Sequence, residues 1–96
     1  MSISSDESLI VGSWVKINGR MEADSELQRI RSLIANELEF VATSPDGWEK
    51  LYRDGHDGRF WEKFLPYGEM QGGGPESLRL LDPKSAHEKY SIDVNL

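Results

Sequence analysis

The chain has 96 residues, a length that suits one domain with one core, and no cysteine, which excludes disulfides and thiolate metal sites. Its formal net charge of −6 argues against a surface built for phosphate backbones and suits either plain solubility or a basic partner. Apolar runs stop at three residues, as at Leu9-Ile10-Val11, so no membrane span is expected, and the acidic start Met1 to Glu7 lacks the basic-then-apolar order of an export signal.

After a polar start over residues 1–8, the stretch Leu9 to Ile17 carries Leu9, Val11, Val15 and Ile17 in a strand pattern with Trp14 among them, although Gly12-Ser13 interrupts the alternation. Asn18-Gly19 is the preferred pair for a two-residue type I′ hairpin turn, because both positions need positive φ. Arg20 to Ala23 is then the return strand. Asp24 reads as a helix N-cap, and Glu26 is favourable in the first turn. Leu27, Ile30, Leu33, Ile34 and Leu38 follow at helical spacing and predict a helix from Ser25 to about Glu39, its apolar stripe laid on a sheet. Phe40 to Thr43 fits either an extended segment or the end of that helix. Ser44-Pro45-Asp46-Gly47 is a turn.

Residues 47–75 hold six of the nine aromatics and seven of the nine glycines, which suggests twisted antiparallel strands with tight turns. Trp48 to Arg53 reads as a strand, since turn signals close it on both sides, although one helical turn would also fit Trp48, Leu51 and Tyr52. Asp54-Gly55-His56-Asp57-Gly58 is a hairpin tip. Arg59 to Leu65 is the next strand, with Phe60, Glu62 and Phe64 on one face and Arg59, Trp61 and Lys63 on the other. Pro66 ends it. Tyr67 to Pro75 is a loop, Leu78 to Leu81 a short strand, and Asp82-Pro83 opens a short helix through Lys84 to about Tyr90. The fold class is therefore α+β. One small twisted antiparallel sheet is packed by one long helix, with a short C-terminal helix, in a single domain over residues 1–96.

Chemistry-bearing residues are sparse. Asp54, His56 and Asp57 bring two carboxylates and an imidazole within four residues, which would suit a small metal- or ligand-dependent enzyme. The spacing does not match a calcium loop, and turn-building explains the same residues. Gly72-Gly73-Gly74 lacks the following Lys-Ser/Thr of a phosphate loop, so close backbone packing is the simpler role. No nucleophile and base stand together in a known motif. Between Arg31 and Lys50 lie four acids, Glu37, Glu39, Asp46 and Glu49, with no base. They surround a helix end, a turn and a strand start, so one acidic surface is expected, either merely solvated or available to a basic partner. Asp54 and Asp57 would extend it.

The central residues also carry a resemblance. Trp48 to Arg53, Asp54, then Asp57-Gly58-Arg59-Phe60-Trp61-Glu62, Glu69 and Gly72-Gly73-Gly74-Pro75 resemble the immunity protein 27 family of bacterial polymorphic toxin systems, and Gly12, Trp14 and Tyr90 fit the same pattern. Gly55-His56 stands where relatives have a proline after the aspartate, and Pro75 is single where a second proline is common. The resemblance implies a cytoplasmic antidote that is monomeric when free and forms a heterodimer with a cognate toxin domain. It implies no catalysis and no cofactor, and neither nucleic acid nor membrane as partner. The glycine-rich and Asp-Gly-Arg segments would hold the fold, while charged surface selects the partner.

Overall fold

The computed structural model describes residues 3–4, 6–66 and 75–92. The expected loop at Tyr67 to Gly74 lies outside them. The element order is β1 (Leu9–Val11), β2 (Trp14–Ile17), β3 (Arg20–Ala23), α1 (Ser25–Asn36), β4 (Leu38–Thr43), β5 (Lys50–Asp54), β6 (Phe60–Phe64), β7 (Ser77–Leu81) and α2 (Pro83–Tyr90). Five strands form one sheet in the order β1-β7-β6-β5-β4, every neighbouring pair antiparallel, and β2 with β3 forms a separate two-stranded ribbon. The α+β class is as expected. The single sheet is instead two.

The ribbon turns on Asn18 and Gly19 at φ 51° and 80°, the left-handed values that a type I′ turn demands. The expected continuous strand from Leu9 to Ile17 is broken at Gly12, and the cause is steric. A Cβ there would lie 2.1 Å from the Glu76 carbonyl oxygen and 2.9 Å from Leu27 Cδ1. Only glycine lets the chain cross so close to β7 and α1. The Gly12 N–H donates to Ser77 Oγ at 3.1 Å, which fixes the crossing point.

Helix α1 is capped as its sequence requires, with Asp24 Oδ1 accepting from the Leu27 N–H at 2.8 Å. The same oxygen accepts from the Ser13 N–H at 3.2 Å, so the cap also ties the helix to the ribbon. The helix runs for 12 residues rather than to Glu39. Leu38 sits at helical spacing from Ile34 but belongs to β4, where it pairs with Asp54. Pairing with β5 claims the segment, and a periodicity shared by Ile34 and Leu38 cannot register that competition.

Strand alternation then builds two cores on the two faces of the five-stranded sheet. One unites Ile30 and Leu33 of α1 with Ile10, Leu78, Trp61, Tyr52 and Leu38, one residue from each strand, and Ile3. The other unites Ala86 and Tyr90 of α2 with Leu51 and Phe60, flanked by Val41, Ala42, Leu81 and Ile92. Adjacent residues Leu51/Tyr52 and Phe60/Trp61 therefore serve opposite faces. A β-bulge between Phe40 and Ala42 leaves Val41 out of register, which lets both Val41 and Ala42 reach the α2 side. The sheet is thus the middle of three layers. Trp48, expected at the start of β5, precedes it and is 63% exposed, because the Asp46 carboxylate accepts its N–H at 2.9 Å and holds it in the turn.

Trp61 is fully buried at the centre of the α1-side core. Trp61→Ala is expected to lower stability by about 3–5 kcal/mol in denaturant unfolding. A midpoint equal to that of wild type would remove Trp61 from this core.

Candidate functional site

The residues singled out by the sequence fall at two ends of the β4–β5 pair. Glu37, Asp54, His56 and Asp57 gather where Leu38 pairs with Asp54, whereas Asp46 and Glu49 flank the turn beyond Thr43 and Lys50. The two ends are separated by roughly 14 Å of strand. Glu39 lies between them, exposed and paired in register with Arg53. The four acids expected on one surface are therefore distributed along an edge strand and around its two ends.

At the first end, most of the polar groups are occupied in building the turn. Asp54 is 2% exposed. Its Oδ1 accepts from the His56 N–H at 2.8 Å, and its backbone bonds to Gly58 and Arg59 close the tip. Gly58 takes φ 77°, which a side chain would strain. Asp57 accepts from the Arg59 N–H at 3.0 Å and from its Nε at 2.6 Å. The Arg59 guanidinium reaches on to the carbonyls of Glu7 and Ser4, at 3.2 and 3.1 Å, and stacks 5.2 Å from the Trp61 ring centre. His56 Nε2 meets Glu37 Oε2 at 2.7 Å. That hydrogen bond holds the His56 pKa above its ordinary value and the Glu37 pKa below its own. Among the described residues, no group of three or more His, Asp or Glu side chains is placed to hold a metal ion.

The second end leads to a cluster that the sequence did not reveal. Glu62 is wholly buried on the α2 face of β6. Its Oε1 accepts from Arg79 Nε at 2.6 Å, and its Oε2 accepts from the Tyr90 hydroxyl and pairs with Lys89 Nζ, both at 2.7 Å. Glu49 bridges the same two cations, at 2.9 Å to Arg79 and 2.5 Å to Lys89. Two carboxylates and two cations thus balance, with Arg79 lying 4.2 Å over the Phe64 ring. Glu49 is in this way committed to holding α2 on the sheet. Burial acts to raise the Glu62 pKa, but the Lys89, Tyr90 and Arg79 bonds outweigh it and leave it lowered. Burial and the same carboxylate push the Tyr90 hydroxyl up. The alternation Phe60, Glu62, Phe64 already placed an acid on an apolar face, and that was the signal that could have found the cluster.

A further ion pair fastens the start of the chain. Arg29 donates to both Glu7 oxygens, at 2.7 and 2.6 Å, and holds the Glu7 pKa at about 2. Glu7 and Glu62 both titrate below their ordinary value of 4.5 when folded. Their stabilisation is therefore fully present above that value and is lost as pH falls through the folded pKa values. Glu62→Gln is expected to lower stability at pH 7, because a neutral amide at the buried end of the cluster loses the charge that Arg79 and Lys89, both partly exposed, balance. It should also flatten the loss of stability below pH 4.5. Urea melts between pH 2.5 and 7 check both. An unchanged acid limb would remove Glu62 as its source.

An open groove of about 670 Å³ lies between the hairpin tip and the start of α2, lined by Asp57, Arg59, Phe60, Leu81 and Pro83 among others. No helix of the described residues is long and apolar enough to cross a membrane. Searches of the curated proteins and of the solved structures find no match to this chain. The model of one family, immunity protein 27, matches residues 16–82, a span that takes in the second half of β2, then β3, α1 and all of β4 to β7. That span is well over half of the chain, and the chain belongs to the immunity protein 27 family.

Proposed function

We propose that this protein is a cytoplasmic immunity protein, a single domain that is monomeric when free and neutralises a cognate bacterial toxin domain by forming a heterodimer with it. The family match over residues 16–82 carries the reading. The disposition of polar groups supports a binding role over a catalytic one. Asp54, His56 and Asp57, the residues of the enzyme alternative, spend their donors and acceptors on the turn, on Arg59 and on Glu37. An inhibitor of this kind needs a surface and no cofactor.

The acids that remain at the surface define where a basic partner would meet it. Glu39 and Asp46 are exposed along and beyond the β4 edge, and Glu37 and Asp57 stand at its other end beside His56 and Arg59. Glu49 and Asp54 contribute through the fold. If the toxin is a nuclease, its groove must hold phosphates and is basic, and carboxylates then occupy it as phosphate mimics and speed encounter.

Charge reversal of Glu37, Glu39 and Asp46 to Lys is expected to slow association with a cognate toxin domain by about tenfold at low salt and to reduce the salt dependence, with Asp46→Lys also loosening the turn it builds with Ser44 and Trp48. Glu49→Lys is expected to lower the melting temperature instead. Stopped-flow binding beside thermal melts separates the two effects. Wild-type association rates in all three surface variants would discard the acidic edge as the contact surface.

A further inference from the structure

The β2–β3 ribbon is unlike the rest of the molecule. A two-stranded ribbon is marginal on its own, and among the described residues this one is fixed at its base. There Asp24 donates its N–H to the Ser13 carbonyl at 3.0 Å and Gln28 Nε2 donates to the Ala23 carbonyl at 2.8 Å. The Arg31 guanidinium lies 5.4 Å over the Trp14 ring. Beyond that base the ribbon carries apolar side chains on both faces. Val15 and Ile17 point to one side and Met21 to the other, at 37, 48 and 62% exposure. Lys16 and Arg20, near the turn, form no ion pair with any described residue, and Glu22 is the one acid on the ribbon. A basic, apolar arm thus extends from a chain whose net charge is −6.

We infer that the β2–β3 ribbon is the toxin-binding arm, inserting its tip into a cleft of the toxin domain that has apolar walls and carboxylates at its floor. The inference rests on the immunity reading above and adds the surface that reads the partner. Apolar residues on both faces of a thin ribbon require two walls, which a flat surface does not offer. Lys16 and Arg20 then need acidic groups to replace water, and a hydrolase supplies them at its metal-binding or general-base positions, a site apart from the phosphate-holding groove that the β4 edge would meet. The two other occupants fit the charges less well. Ribbon against ribbon in a pair of copies would bring Lys16 and Arg20 against their counterparts. An anionic membrane would attract the arm but repel the acidic body behind it.

The test uses the full chain and a catalytically inactivated form of the toxin domain encoded beside this gene. Ile17→Ser with Met21→Ser is expected to weaken binding by about 10–100-fold, through faster dissociation. Lys16→Glu with Arg20→Glu is expected to slow association by about tenfold at low salt, the difference shrinking as salt rises. Glu22→Lys is expected to tighten binding, a gain that damage to the fold cannot produce. Wild-type affinity in both double variants, or weaker binding in Glu22→Lys, overturns the arm while wild-type binding to the toxin domain keeps the immunity reading. Absence of binding by the wild-type protein overturns both. Binding to phosphatidylserine vesicles, or a homodimer in light scattering, that disappears in these variants assigns the ribbon elsewhere and also overturns it.

Discussion

The buried carboxylate of Glu62 is the constraint to which the lower half of the molecule answers. An ionised group with no exposed surface must find partners within the protein, or its desolvation would unfold the site. Arg79 comes from the neighbouring strand, Lys89 and Tyr90 from α2, and Glu49 from the opening of β5. β6, β7, α2 and the entry to β5 are thereby locked in one arrangement. The apolar contacts of Ala86 and Tyr90 with Leu51 and Phe60 would hold α2 against the sheet in many orientations, because burial is not directional. The ion cluster selects one.

The segment Asp57 to Glu62 shows how closely one run of residues can be committed to a fold. Asp57 shapes the tip and Gly58 supplies its positive φ, while Arg59 clamps the start of the chain. Phe60 enters one core, Trp61 the other, and Glu62 anchors the ion cluster. Six consecutive side chains or backbones each answer a different structural demand, so a substitution anywhere in the run acts through stability first. The run is thereby spent on the scaffold. The exposed acid Glu39 and the outer side chains of the ribbon carry no comparable structural duty among the described residues.

Much of the local structure was legible because it depends on a few consecutive residues. Asn18-Gly19 specifies its turn, Asp24 caps α1, and Asp82-Pro83 opens α2, its carboxylate accepting from the Ser85 N–H at 3.0 Å. Alternation along Phe60 to Phe64 correctly divided that strand between two faces. The candidate site was legible only as a set of residue types. Turn-forming carboxylates at Asp54 and Asp57 look the same in a sequence whether they bind a partner or cap a backbone N–H.

The sequence by itself determined the α+β class, the turns, the caps and the starts of both helices, since these follow from backbone preferences and hydrogen bonds within a few residues. Tertiary structure alone decided where α1 stops, that Gly12 must break the first strand, and that α2 covers the face opposite α1. It also decided that Glu49 and Glu62 share two cations whereas Glu39 and Asp46 face solvent. Each of these outcomes depends on what lies across the sheet or on the next strand. A pattern read along one chain records only its own spacing, and burial, pairing and charge balance are set by residues far away along the chain, as Gly12 and Ser77, 65 positions apart, are.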